Sequence, residues 1–425
     1  MARQIWAHCV VTNRLCGMAT PRDLRLALHS NSDGQMGSLL LTTSFGNILT
    51  VNVHRTTPPK LRQWLLLAIL LIATCALSTG VAAKKALHHH PKPRHSQVHP
   101  SYAHRVDVMQ AADDMALRRD LPRTWVRRTL AQAHYVAAIA QAIQPVSIGV
   151  AKNWAAYRNR FIEPTRILAG VAFWQAHQGD LNRAEQETGV PPEIIVGIMG
   201  VETMYGQQMG SFRVLDALAT LAFDFPASHP RAIARRAYFK SELEQFLSLM
   251  RRSGRNPTSP KGSYAGAMGL PQFMPSNWVK YAVDFDSDGR IDLFDSPADA
   301  IGSVAQYLKA FHWQKGLPTH YSMAFDQDKL DLDALSLPDI LPTFNVANFQ
   351  ARGAVLTGEA LSHTGKLALI ALQNGEAFPS FVAGTDNFYV ITRYNQSSYY
   401  AMAVIELGQA VMQAMMPAIK SSIPH

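Results

Sequence analysis

Residues 60–85, KLRQWLLLAILLIATCALSTGVAAKK, divide this chain, and a fold has to be sought on their far side. Lys60 and Arg62 supply a basic start, residues 64–77 an apolar core with no polar face, and residues 81–83 a small-residue cleavage site, the pattern of a secretory signal. A membrane span needs about 20 apolar residues, more than this core offers, so an uncleaved anchor is the lesser reading. Cys75 closes IATC and leaves lipid attachment open, although Thr74 is bulkier than the residue that usually precedes a lipidated cysteine. Residues 1–60 show no sustained periodicity and precede a signal that should begin near an N-terminus. They are expected to be an over-long start, with Met36 an alternative, and no functional meaning is drawn from them.

Charge follows the same division. Residues 1–105 hold 12 Lys and Arg against 2 Asp and Glu, whereas the remainder holds 28 against 29. The body is nearly neutral, so the basic balance of the whole chain does not describe a nucleic-acid surface, and nucleic acid is discounted as a partner. Cys9, Cys16 and Cys75 all lie in the first 75 residues, which excludes a disulfide framework downstream. The 48% hydrophobic content is globular.

Residues 84–105, with six histidines and three prolines and no apolar face, read as a flexible linker; a solvated tract is favoured over a specific metal site. From Val106 the periodicity is helical to about Leu317. In SPADAIGSVAQYLKAFHW, Ser296 is the N-cap, Pro297 begins the helix, Asp299 completes a capping box, and Ala300, Ile301, Val304, Leu308 and Phe311 share one face. Between about residues 318 and 392, the runs LALIAL, FPSFVAG and NFYVITR read as short strands between Gly, Asn and Asp turns. A last helix follows, YYAMAVIELGQAVMQAM. The class expected is α+β, mainly α.

VPPEIIVGIMGVETMYG carries the sharpest chemical feature. Pro191 and Pro192 open a helix running to about Thr203, and Glu202, seven residues beyond Ile195, falls on the stripe of Ile195, Ile198 and Met199. A desolvated carboxylate holds its proton more tightly, which is how a general acid is made near neutral pH. The bland alternative is a helix-end glutamate reaching solvent. Gly206 and Gly210 let the chain turn away.

Three further stretches surround this feature with cleft chemistry. KGSYAGAMGLPQFMPSNW combines three glycines with Ser263, Gln272 and aromatic residues; it lacks the ending of a phosphate loop, so no nucleotide is expected. DFDSDGRIDLFD matches the calcium-loop template with Asp284, Asp286, Asp288, a turning Gly289 and Ile291 in the hydrophobic slot. It ends on Asp295 where a bidentate glutamate normally sits, leaving Asp299 as the substitute ligand. NFYVITRYNQSSYYAMAV, with Tyr157 and Tyr307, offers aromatic faces and amides of the kind that hold sugars, although aromatics at helical spacing also build cores. Arg235 and Arg236 precede Phe239 by four and three residues and flank a buried face, or are surface cations.

Taken with RVLDALATLAFDFP and RRAYFKSELEQFL, these motifs over residues 106–408 resemble, in the same order, the lytic murein transglycosylases of the B type. The resemblance implies a lysozyme-like core with a helical N-terminal domain and a small β-rich insertion near the C-terminus. It implies non-hydrolytic cleavage of the β-1,4 bond between N-acetylmuramic acid and N-acetylglucosamine, leaving a 1,6-anhydro sugar, in the periplasm. Glu202 would be the lone catalytic acid. Ser263, Gln272, Phe273, Tyr157, Tyr307, Tyr394, Asn395 and Tyr400 match positions lining the saccharide groove, and Asp284, Asp286, Asp288 and the Arg290 carbonyl match the calcium loop. No organic cofactor is implied; peptidoglycan glycan strands are the implied partner, with room for cell-wall synthesis or division proteins, and the membrane is met only through an uncleaved or lipidated N-terminus. Met204 stands where the family often has arginine, and the spacing from Asp288 to Asp299 is one residue longer than in close relatives. A hydrolytic muramidase and a non-catalytic, calcium-stabilised wall-binding protein are the alternatives.

Overall fold

The computed structural model describes residues 100–145 and 152–416, together with three strands nearer the N-terminus. It divides into two units, Met1–Ser96 and Gln97–His425. In the first, β1 (Arg25–Ser30), β2 (Met36–Thr42) and β3 (Ile48–His54) form an antiparallel meander. The sequence shows no sustained period there, because each alternation, such as Leu49, Val51 and Val53, lasts only a few residues. Pairing brings those short runs into register: Leu39 faces Leu28 and Val51, and Leu41 faces Leu26 and Leu49. The apolar stretch read as a secretory signal and the histidine tract through His99 lie outside the described residues, and among the described residues no helix is long and apolar enough to cross a membrane.

The second unit is mainly helical, with small antiparallel sheets. It takes in more than the helical periodicity announces: Tyr102, in the stretch read as linker, is 1% exposed and donates to Asp224, which also binds Arg105. At the centre runs the helix Pro192–Thr203, opened by Pro191 in an extended conformation, with Ile195, Ile198 and Met199 fully buried. It packs against the helix Ser398–Met415 so closely that a Cβ on Gly197 would collide with the Val404 carbonyl and one on Gly408 with the Glu193 carbonyl. Only hydrogen at these positions lets the two backbones meet.

The strands β4 (Phe212–Arg213) and β5 (Lys261–Gly262) pair and draw the glycine-rich loop to the end of the central helix. Gly206 and Gly210 adopt positive φ of 92° and 91°, as the turn there requires. Near the C-terminus, β6 (His320–Phe325), β7 (Ala354–Leu356), β8 (Ala368–Asn374) and β9 (Ala377–Gly384) form an antiparallel sheet in the order β7-β6-β9-β8, over a small core that includes Leu335, Phe349 and Leu367.

Two local expectations are corrected. NFYVITR is a helix, Asp386–Thr392, because Thr385 caps it and Phe388 and Ile391, three residues apart, are both fully buried; packing overrides the β propensity of Val390 and Ile391. Ser296 does cap the helix Pro297–Ala310, but Asp299 does not complete the box. Its carboxylate turns back to accept from the Phe285 and Asp292 amides at 2.6 and 2.7 Å.

Candidate active site

Glu202 occupies the last turn of the central helix and is half-buried. Tyr400, from the helix Ser398–Met415, donates its hydroxyl hydrogen to Glu202 Oε1 over 2.7 Å. Burial pushes the Glu202 pKa up to about 7, and the Tyr400 hydrogen bond opposes the rise. Among the described residues no second carboxylate contributes to that shift. Burial first and the Glu202 charge second raise Tyr157, and raise Tyr394 and Tyr400 well above the ordinary phenol value. The three phenols therefore surround one carboxylate and stay protonated, able to donate.

The rings extend outward from there. Tyr394 stacks on Tyr400 with centroids 6.3 Å apart, meets Tyr307 at 4.9 Å and Phe273 at 5.8 Å, and donates to the Pro271 carbonyl. Tyr307 in turn donates to the Arg393 carbonyl at 2.6 Å. Phe273, Tyr307 and Tyr400 are each at most 4% exposed, so they form the wall of the site, while the half-buried Tyr157 and Tyr394 present surface to a ligand.

The glycine-rich loop reaches this wall through Phe273. Gln272, held at φ 48°, spends its amide on the Gly269 and Met209 carbonyls, and Ser263 Oγ accepts from the Ala265 and Ala267 amides. An accepting hydroxyl still has its own hydrogen for another partner. Asn395 is exposed beside Tyr394. Arg235 lies over Phe239 and Arg236 donates to the Phe225 carbonyl, and neither bonds the tyrosine group. Arg235 is linked to it through Tyr238, whose hydroxyl pKa is raised by burial first and then by the Glu242 charge, is lowered by Arg235 and also feels Tyr307.

Glu242 is a residue that the sequence reading missed. It is 2% exposed and accepts from the Ser276 amide at 2.9 Å and the Ser276 hydroxyl at 2.6 Å, fastening the helix Pro275–Tyr281, and with it the glycine-rich loop, to the helix Ala232–Ser253. The signal was present: Phe239, Glu242, Leu243 and Phe246 fall on one buried stripe, the argument that singled out Glu202.

In the acidic loop, carboxylate oxygens of Asp284, Asp286 and Asp299 lie within 4.8 Å of one another. Asp299, not Asp295, completes the group, because Asp295 turns outward to Arg255 at 3.1 Å. Asp288 accepts from the Arg290 amide and lies outside the trio, and the Arg290 side chain is exposed. The expected hydrophobic slot moves as well: Ile291 is 41% exposed and Leu293 fully buried. The three hard oxygen donors suit a calcium-sized dication. Asp216 and Asp224, two carboxylates that follow Glu202 in sequence, bind the His134 amide and the Tyr102–Arg105 pair respectively.

Residues 104–409 match the family model described as the Transglycosylase SLT domain. The membrane-bound lytic murein transglycosylase B of Escherichia coli is 41% identical over 335 residues, 76% of this chain and 88% of that protein. Crystal structures of the Escherichia coli lytic transglycosylase Slt35, in complex with bulgecin A and with calcium, are 39% identical and cover 76% of this chain and 98% of theirs, with TM-scores of 0.66 and 0.65. SltB3 of Pseudomonas aeruginosa, solved with NAG-anhNAM-pentapeptide, is 26% identical with a TM-score of 0.60, covering 72% of this chain and 79% of its own.

Proposed function

Since the chain belongs to the transglycosylase SLT domain family and is a lytic murein transglycosylase that cleaves peptidoglycan by transglycosylation, we propose that Glu202 carries the cleavage, first as acid and then as base. The observation behind this reading is one half-buried carboxylate under Tyr400, beside Tyr157 and Tyr394, with no second carboxylate among the described residues contributing to its shift.

The bond is the β-1,4 link from N-acetylmuramic acid to N-acetylglucosamine. Protonated Glu202 donates to the glycosidic oxygen as its bond to the anomeric carbon breaks, and the 2-acetamido oxygen of the same sugar supports that carbon. The Glu202 carboxylate then takes the proton of the 6-hydroxyl, whose oxygen closes on the anomeric carbon to give the 1,6-anhydro ring. No water is consumed, and the proton that Glu202 gives in the first step it regains in the second. Enzymes assisted by their own substrate need no second carboxylate. A carboxyl group with a pKa near 7 is suited to both roles at neutral pH. Tyr157 and Tyr394 offer ring faces to the sugars and Ser263 a hydroxyl donor.

Asp284, Asp286 and Asp299 would hold calcium, where it would pin the acidic loop to the helix Pro297–Ala310, a structural role. Action on peptidoglycan supports a periplasmic location, with glycan strands as the partner. The reading is tested by mass spectrometry of products from purified sacculi. Glu202→Gln should release no anhydro-muropeptides while remaining folded, and retained release would end the proposal. Reducing muramic acid ends from the unaltered protein would indicate hydrolysis instead.

A further inference from the structure

The backbone just past Glu202 is strained, and the cause is visible. Met204, at φ 50°, and Tyr205, at φ 57°, are consecutive non-glycine residues in the left-handed region. Their Cβ atoms disfavour that conformation, which persists only where the surroundings impose it. The Met204 amide donates to the Gly200 carbonyl at 3.1 Å and the Tyr205 amide to the Met199 carbonyl at 3.2 Å, a closure in which glycine usually supplies the left-handed residue.

The turn throws Tyr205 back along the helix. Its ring stacks on Phe173 of the helix Pro164–Ala176 with centroids 5.3 Å apart. Its hydroxyl lies over Gly170 and Gly200, where a Cβ on either glycine would collide with it. That hydroxyl is buried and finds no hydrogen-bond partner among the described residues. Arg166, from the same helix as Gly170, donates to the Gly200 carbonyl. Two glycines, a phenylalanine and an arginine thus form a slot shaped to one ring, and the hydroxyl gains no bond from entering it.

We propose that Tyr205 is a positioning residue for Glu202: seated in this slot, its ring fixes the last helical turn so that the carboxylate meets Tyr400. The role rests on the reading of Glu202 as acid and base, and Tyr205 acts only through the backbone that joins it to Glu202. The ring does the positioning. The hydroxyl is dispensable.

The test compares Tyr205→Phe, which keeps the ring, with Tyr205→Gly, which suits the turn but empties the slot, on a soluble uncrosslinked glycan strand, with folding followed by circular dichroism. Tyr205→Phe should keep kcat within about 2-fold, whereas Tyr205→Gly should lose roughly 30- to 100-fold in kcat with KM little changed, the scale of a misplaced catalytic group. The high-pH limb of its kcat profile should also move. If Tyr205→Gly does not fold, Phe173→Ala, which removes the ring that Tyr205 stacks on, should give the same loss and the same limb shift. A folded Tyr205→Gly, or in its absence Phe173→Ala, with unaltered kcat and pH profile overturns the proposal, as does inactivity of Tyr205→Phe. Glu202→Gln, run in parallel, separates the two readings: if it is active, the assignment of Glu202 fails; if it is inactive while the Tyr205 variants behave normally, only the positioning role fails.

Discussion

The Tyr400 hydroxyl and Glu202 Oε1 meet at 2.7 Å from two helices whose backbones touch. The donation favours the ionised carboxylate and so holds the Glu202 pKa below where burial alone would set it. In Tyr400→Phe the pKa should rise further. Because Glu202 must begin protonated, the high-pH limb of the kcat profile should move to higher pH, while loss of the donor to the carboxylate slows turnover roughly 10- to 100-fold. A limb that stays still or moves down would show that the hydrogen bond does not govern Glu202.

Glu202 also makes stability depend on pH, with a definite sign. Its folded pKa of about 7 lies above the ordinary 4.5, so between these values the folded protein binds more protons than the unfolded chain. Stability from this group falls as pH rises through that window and is lowest above it. Glu202→Gln removes the penalty. The melting temperature of the variant minus that of the unaltered protein should be near zero at pH 4.5, grow through pH 6 and level off above pH 7. Partial exposure trims the effect to about 1–3 kcal/mol, a few degrees in Tm. A difference independent of pH would refute the assigned shift.

Calcium should raise the melting temperature of chelator-treated protein by mass action, by about 2.7 kcal/mol at a hundredfold excess over Kd. Asp284→Ala and Asp286→Ala, which remove members of the oxygen trio, should abolish that response. Asp295→Ala should keep it, since Asp295 is surface-exposed and paired with Arg255, and should itself change stability by no more than about 0.5 kcal/mol. Calorimetric titration with calcium decides between Asp295 and Asp299 as the closing ligand. An unresponsive Asp295→Ala would restore the sequence template.

Much of this site was legible because it is written in local spacing. Glu202 at seven residues from Ile195, the Asp284–Asp286 alternation and the Ser296–Pro297 start each need only one element to be read. What escaped depends on contacts across the chain. Asp299 gave up its capping role because the amides of Phe285 and Asp292 arrive from a loop, and Asp295 left the metal group because Arg255 was there to pair with it. NFYVITR has strand-forming residues, yet its Phe388 and Ile391 meet a core that only the helical period satisfies. Tyr307 and Phe273 read as groove aromatics, but other rings cover them and make them wall. Tyr205 gave no sign in the sequence, because its slot is assembled by Gly170 and Phe173 from another helix.

The contact between the two helices is open to a direct test at Gly197. A methyl there would run into the Val404 carbonyl, a backbone atom that no side-chain rotation can move aside. Alanine improves helix propensity by up to about 1 kcal/mol, but forcing packed helices apart costs about 1–3 kcal/mol or more, so Gly197→Ala should be destabilising. Val404 lies one helical turn after Tyr400 and Gly197 lies five residues before Glu202, so the separation must also lengthen the bond between them. The kcat profile should therefore shift in the direction of Tyr400→Phe. Gly179→Ala is the control: it sits in the helix Gln178–Thr188 with nothing near its Cβ, and should gain up to about 1 kcal/mol without altering turnover. If the two variants unfold at equal temperatures and share one pH profile, the close approach at Gly197 is not what sets the Glu202–Tyr400 distance.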